Sequence, residues 1–293
     1  NRISLTLEYY YKKTTDLLLE VQLPTTSGFS TAIKNVGSIS NRGLELTLNT
    51  VNFDRSDFKW NSSLTFSNNR SKVLDLGEKD EMFFSRNFFH KLDNEVVVRV
   101  GDPIGIYYGY VEDQIFNSEN EIANSPNMDV LENVVGGIKI YDVNGDGVVT
   151  TADKIPIAKT EPEFIGGFNN EFNYKNFDLS FFLRWSYGND IVNGNITFFD
   201  QVGRGNWNTL ESFNKNVFSP LNPNGTIHGN VPDTYTNLMR SNYIEDGSFL
   251  KCDYITLGYS FPQSFLDSNN LKSLRVYARV SNPFMITRYS WFD

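Results

Sequence analysis

The sequence predicts an all-β chain: the wall of a large antiparallel transmembrane β-barrel with long extracellular loops. Three observations predict it. Seven segments alternate apolar and polar residues with a period of two. The connections between them alternate between short and long. Aromatic residues make up 15% of the chain, with 24 Phe and 15 Tyr, and they gather at the segment ends as an interfacial girdle does.

Taken in order, Ile3, Leu5, Leu7 and Tyr9 oppose Ser4, Thr6, Glu8 and Tyr10. Leu44, Leu46 and Leu48 oppose Glu45, Thr47 and Asn49, and Trp60, Leu64 and Phe66 oppose Asn61, Ser63 and Thr65. Phe168, Phe172 and Tyr174 oppose Asn169, Glu171 and Asn173; Phe177, Leu179, Phe181, Leu183 and Trp185 oppose Asp178, Ser180 and Arg184. Ile255, Leu257, Tyr259 and Phe261 oppose Thr256 and Ser260, and Leu274, Val276, Ala278 and Val280 oppose Arg275, Tyr277 and Arg279. A soluble sandwich would turn the apolar face inward; a barrel turns it to lipid and the polar face to a wet lumen. Segments of about ten residues match a tilted membrane crossing, whereas sandwich strands are usually shorter.

Lys175-Asn176 and the stretch 52–58 are brief turns, while 12–42, 69–163 and 188–248 are long and rich in Asn, Asp, Gly and Ser. With the brief turns on the periplasmic side, parity places the insertion 69–163 outside the cell. Within it, 96–100 and 104–111 are strand-like. The stretch 284–293 rises out of the last strand, so a closed barrel needs a returning strand beyond it.

Composition excludes several classes. A formal charge of −9 argues against nucleic acid, whose phosphates demand clustered Lys and Arg. Cys252 is the single cysteine, so no internal disulfide forms, and with only His90 and His228 there is no Cys/His zinc cluster. No apolar run reaches the ~18 residues of a membrane helix. The start at Asn1, with neither Met nor signal peptide, reads as a piece of a longer chain.

The stretch 142–153 is a calcium-type loop. Asp142, Asn144 and Asp146 place oxygens at alternate positions, Gly147 permits the sharp turn, and Val148 offers a carbonyl. Thr150 can hold a water, and Asp153 closes position 12. Asp there, in place of Glu, and the lack of a preceding amphipathic helix point to an isolated structural loop. The alternative is an acidic turn without an ion.

Several strings then become familiar: Asp142-Val143-Asn144-Gly145-Asp146-Gly147, Pro162-Glu163-Phe164, Gly167-Phe168-Asn169-Asn170 and Asn176-Phe177-Asp178-Leu179-Ser180. To these add Thr14-Thr15-Asp16-Leu17-Leu18, Asn35-Val36-Gly37, Asn41-Arg42-Gly43-Leu44-Glu45, Gly101-Asp102-Pro103-Ile104-Gly105, Tyr107-Tyr108-Gly109-Tyr110 and Thr256-Leu257-Gly258-Tyr259. Phe249-Leu250, Leu274-Arg275-Val276-Tyr277 and Ser281-Asn282-Pro283-Phe284 complete them. In this order they resemble the SusC/RagA family of TonB-dependent outer-membrane transporters over nearly the whole chain. The resemblance implies the C-terminal portion of a barrel of about 22 strands, without the N-terminal plug and TonB box. It further implies TonB coupling through those regions, a SusD-like surface lipoprotein as partner, and a glycan or peptide as cargo.

Tyr107, Tyr108, Asn206, Trp207 and Asn208 on the long loops suit sugar rings, because aromatic faces cover a pyranose and amides bond its hydroxyls. Loop packing or lipoprotein contact is the competing role for each. Arg184, Arg275 and Arg279 fall on the lumen phase and are expected to pair structurally. Glu161 and Glu163 lack the cleft pattern of a hydrolase, and no nucleophile elbow or triad occurs, so no enzyme is expected. Two other readings stay open: a secreted soluble calcium-dependent glycan binder, and a passive porin or adhesin.

Overall fold

A computed structural model describes residues 2–22, 26, 28, 31–84, 87–88, 90–91, 95–199, 210–229 and 238–291. Seven long strands carry the fold: β1 (Ile3–Thr15), β2 (Ser38–Asp54), β3 (Phe58–Asp75), β4 (Phe164–Tyr174), β5 (Phe177–Tyr187), β6 (Phe249–Ser260) and β7 (Arg275–Thr287). They lie in one sheet in strict chain order. The registers recorded between neighbours are antiparallel. The chain divides into two compact units, a wall unit (Asn1–Lys72, Glu161–Asn189, Asp246–Tyr289) and an insertion unit (Val73–Thr160, Asp190–Glu245, Ser290–Asp293).

In the wall, the register keeps every apolar set in phase. Leu5 faces Leu48 and Leu7 faces Leu46; Phe168 lies between Leu64 and Leu183; Leu179 faces Leu257, which faces Ala278. This face has no protein cover: Leu5 and Leu7 remain 61% and 60% exposed. So large a continuous apolar surface is one that lipid must cover. Aromatic rings bound it at both ends. Phe66, Phe164 and Tyr187 stack at one end, with centroids 5.5 and 5.0 Å apart. Phe53, Trp60 and Phe172 stack at the other, at 6.0 and 5.3 Å. Phe164 to Phe172 spans roughly 27 Å along the strand at about 3.4 Å per residue, the scale of the apolar band of a membrane barrel.

The strands run longer than the ten residues expected, to 17 in β2 and 18 in β3. The last strand also continues through Phe284 to Thr287, so the first four residues of the stretch 284–293 belong to it. Lys175-Asn176 is the tight turn predicted, with Lys175 at a left-handed φ of 52°. The connection after β6 is less tight and holds a short helix, Gln263–Ser268.

Motif glycines sit where aromatic side chains need the space. Trp185 lies over Gly166 from the apolar face and Phe182 over Gly167 from the polar face, so each ring occupies the place of a Cβ. Tyr10, directly opposite Gly43, covers it and donates its hydroxyl to Asn69 Oδ1 at 2.8 Å. The strings at the β1 exit and β2 entry form a closure: Asp16 (φ 58°) and Gly37 (φ 93°) turn the chain, and Val36 N–H donates to Leu17 O. Between them Leu18–Gln22 pairs with Thr31–Asn35, an extra strand pair within the long connection 12–42.

The insertion unit differs from the sequence reading in one respect. It is built from both long connections, 73–160 and 190–245, and not from the first alone. A four-stranded sheet runs in the order Ile155–Lys159, Ile106–Gly109, Val96–Arg99 and Glu81–Phe84. The strand-like stretches thus hold, with narrower ends. Tyr110 bridges in parallel to Arg240, and Tyr110 N–H donates to Met239 O at 2.9 Å. Gly109 permits this approach, since a Cβ there would meet the Met239 carbonyl. Tyr110, Phe116, Met128, Leu131, Ile138, Ile140 and Val149 form the core, all at most 5% exposed.

Candidate functional site

The polar face of the wall is the first candidate. Alternation delivers Asp178, Arg184, Arg275 and Arg279 to it, a bulge adds Asp253, and the structure gives each arginine a partner. Arg184 Nε and Nη2 donate to Asp253 Oδ2 and Oδ1, both at 3.2 Å. Arg275 Nε and Nη2 donate to Asp178 Oδ1 and Oδ2 at 3.0 and 2.6 Å. Arg279 lies over the Tyr254 ring, 4.1 Å from its centroid. The expected structural pairing of Arg184 and Arg275 therefore holds. Asp253 was not singled out in the sequence. It is the extra residue of a bulge, since Leu183 faces Cys252 and Phe182 faces Tyr254. A bulge re-aims a side chain, here onto the arginine phase. Cys252 is a buried strand residue between Leu183 and Phe284.

Glu161 closes the mouth of β3 and β4. Its Oε1 accepts from Ser71 N–H (2.8 Å) and Asn69 Nδ2 (3.0 Å), and its Oε2 from the Ser71 hydroxyl (2.9 Å). A carboxylate so committed to its own fold is a brace. Glu163 accepts Asn68 Nδ2 on its backbone carbonyl.

The calcium-type loop is folded as its spacing suggests. Gly145 and Gly147 N–H donate to Asp142 Oδ1 and Oδ2, each at 2.7 Å. Asn144 Oδ1 accepts from Asp146 N–H and Asp146 Oδ1 from Val148 N–H, each at 2.9 Å. The side chains of positions 1, 3 and 5 thus turn back into the loop, and each oxygen keeps a second lone pair for a hard cation. Asp153 is engaged otherwise. Fully buried, it accepts N–H groups of Val143 (2.9 Å), Asn144 (3.2 Å) and Thr150 (2.7 Å). Burial pushes its carboxyl upward, but those three backbone donors prevail and hold it below the ordinary value. Thr150 Oγ1 accepts from Ala152 N–H and completes a capping box with Asp153. Among the described residues no three His, Cys, Asp or Glu side chains gather into a metal-holding group.

The candidate sugar contacts fare unequally. Tyr107 packs against the Met239–Tyr243 cluster, and Tyr108 sits 5.3 Å from the Phe83 ring. Both are half-buried and engaged in packing, the competing role. Asn206, Trp207 and Asn208 lie outside the described residues. The insertion unit also holds a feature no pattern announced. Arg240, fully buried, donates from Nη1 to Glu112 Oε2 at 2.5 Å and from Nη2 to the Tyr243 hydroxyl, with its guanidinium 4.5 Å from the Tyr243 ring centroid. Tyr110 beside it is pushed up to about 12, first by burial and then by the charge of Asp153.

A sheet with one uncovered apolar face between aromatic girdles, and one charged, polar face, defines a segment of a membrane β-barrel wall. Comparison with known proteins names the kind. No family model matches. The whole chain aligns at 32% identity with TonB-dependent receptor P3 of Formosa agariphila and at 30% with TonB-dependent receptor SusC of Bacteroides thetaiotaomicron, covering 29% and 28% of their lengths. In fold it matches a structure of the RagAB peptide transporter over its whole length, with a TM-score of 0.78 and 22% identity, covering 30% of that chain. The chain belongs with the SusC/RagA-type TonB-dependent receptors, as part of their barrel, and spans about 30% of the length of the curated relatives it matches. These are transporters, not enzymes, and their place is the outer membrane of Gram-negative bacteria.

Proposed function

We propose that this chain supplies wall, lumen surface and extracellular loops to an active importer. TonB would drive it through parts of the receptor beyond this span, and a SusD-like surface lipoprotein would serve it from outside. The cargo is an oligosaccharide or a peptide. The resemblance to the SusC/RagA family implies the first, and the peptide transporter RagAB, alike in fold, supports the second. The observation that carries the reading is the two-faced wall: apolar side chains outward between two aromatic girdles, ion-paired arginines inward. On this reading the insertion 69–163 is extracellular, as strand parity with the brief turns on the periplasmic side requires.

Calcium belongs to this proposal as a structural brace. Asp142, Asn144, Asp146 and the carbonyl of Val148 would hold it, with Thr150 and Asp153 shaping the loop from behind. The ion would supply positive charge to a loop whose carboxylates otherwise face only N–H dipoles.

Uptake of labelled oligosaccharide and peptide pools, in cells carrying or lacking the full receptor, tests the proposal. Import that depends on the receptor and stops when the proton gradient is collapsed is the expected result. Import that persists without the gradient would make the barrel a passive pore.

A further inference from the structure

The connection from β6 to β7 carries the apolar face of the wall past the end of its strands. It turns at the same end as Lys175-Asn176, since Ser260 N–H donates to Asn176 O at 2.9 Å. Tyr259 faces Phe177 on one side and Val276 on the other, and all three belong to the lipid-facing set. From there the rings run on without a break. Phe177 and Tyr259 have centroids 4.8 Å apart, Tyr259 and Phe261 5.1 Å, and Phe261 and Phe265 4.8 Å. Phe265 lies on the short helix Gln263–Ser268, outside the sheet.

That helix is closed tightly. Asn270 takes a left-handed φ of 53°, Leu271 N–H donates to Leu266 O at 2.9 Å, and Asn270 N–H donates to Asp267 O at 3.3 Å. The two bonds bring Leu271 back to the level of Leu266. Phe261 N–H donates to Leu274 O at 3.0 Å and ties the base of the connection. The apolar residues then divide: Leu266 is buried, while Phe265 and Leu271 stay 42% and 41% exposed. The rest is polar and satisfied in water, with Gln263 Nε2 donating to Asp267 Oδ1 at 2.7 Å. Lys272, beside Leu271, is exposed and makes no ion pair with a described residue.

The lipid that covers Phe177, Tyr259 and Val276 adjoins Phe265 directly, so one occupant serves both. Rings suit the headgroup level of a bilayer, and a lysine stem can lie on apolar surface while its ammonium stays among phosphates. A helix of six residues is too short to hold a membrane by itself. Here the wall and the closure fix it in advance, so docking costs little further order.

We infer that the segment from Phe261 to Lys272 is a lipid-docking element. Phe265 and Leu271 enter the headgroup–acyl boundary of the leaflet on the side of the brief turns, and Lys272 meets lipid phosphate. The inference rests on the membrane wall and not on the import reading.

The test uses the full receptor in vesicles of phosphatidylethanolamine and phosphatidylglycerol, in a background with no other reactive cysteine. A nitroxide is attached singly through Phe265→Cys, Leu271→Cys or Asp267→Cys, and its relaxation by oxygen and by a water-soluble nickel chelate is compared. Oxygen is expected to reach the labels at 265 and 271 severalfold better than nickel does, with the order reversed at 267. Nickel access at 265 equal to that at 267 overturns the inference, because the turn then stands in water. So does a label at 265 or 271 that neither reagent reaches, because protein then covers the patch. Where a cysteine disturbs folding, Phe265→Trp keeps a ring in place. Lipids brominated near the headgroup end of their acyl chains are then expected to quench the added fluorescence of Phe265→Trp and not that of Asp267→Trp; equal quenching of the two also overturns the inference.

Discussion

Arg275 holds Asp178 from two strands away, and residue 258 between them is a glycine. Asp178 on β5 faces Gly258 on β6, which faces Tyr277 on β7. The guanidinium reaches over the bare backbone to form its two bonds at 3.0 and 2.6 Å. A Cβ at 258 would lie 2.5 Å from both Arg275 Nη2 and Asp178 Oδ1. Gly258→Ala is expected to abolish the coupling seen in a double-mutant cycle of Asp178→Asn and Arg275→Gln, read by thermal unfolding in detergent. Persistence of the coupling in Gly258→Ala would refute this geometry.

Gly166 offers a sharper case of the same economy. Its Cβ would stand 2.5 Å from the Thr65 carbonyl, with the Trp185 indole also in the way. Overpacking of this kind costs about 1–3 kcal/mol. Gly194→Ala, with nothing within 4 Å, is the control and should leave the melting temperature in place.

Removing one partner of a buried ion pair leaves the other uncompensated. Arg240→Ala strands Glu112 and should destabilise the insertion unit by about 3–5 kcal/mol. Limited proteolysis, with cleavage confined to 73–160 and 190–245, checks it.

Tyr110 sets an alkaline limit. Its hydroxyl is raised from 10.0 to about 12 in the fold, so the folded state keeps its proton longer than the unfolded chain does. The contribution is therefore complete below pH ~10 and is lost as pH rises through about 12. Lys139, which burial lowers but the hydrogen bonds of Asp113 and Glu121 raise on balance, is lost on the same side. Tyr110→Phe should flatten the tyrosine share of the loss, followed by phenolate absorbance.

Asp153 acts on the acid side. Its depressed carboxyl contributes above the unfolded value and loses that contribution as pH falls through the folded one. Asp153→Asn should cost about 1–3 kcal/mol, the worth of hydrogen bonds to a charged group. Chelation, or Asp142→Ala, should loosen the insertion unit to protease and leave the wall folded. Protease sensitivity that ignores the chelator would remove the ion from the account.

The wall was legible because a strand writes its two faces in alternate letters: Phe177, Leu179 and Phe181 announce lipid as plainly as Asp178 announces water. The bulge at Asp253 was not, because one extra residue leaves no mark in composition. Gly167 and Gly258 stood out only as parts of familiar strings and Gly166 not at all, and the reasons for all three lie in neighbours on other strands. The loop 142–153 was readable as a spacing, yet the commitment of Asp153 to backbone N–H groups was not. Tyr107 and Tyr108 pack as the competing role foresaw, and the sequence held both roles open because an aromatic side chain reads the same whether it meets ligand or core.

The pairing of Glu112 with Arg240 spans 128 positions of sequence, and between them lies the complete β4–β5 hairpin. The insertion unit therefore carries high contact order, and closing such long loops precedes any gain from them. Its two halves become available only after a membrane hairpin has been synthesised between them. Once the β4–β5 hairpin has formed, the loop left to close between Arg240 and Glu112 is effectively shorter than their 128 positions of separation, and its entropic cost falls accordingly.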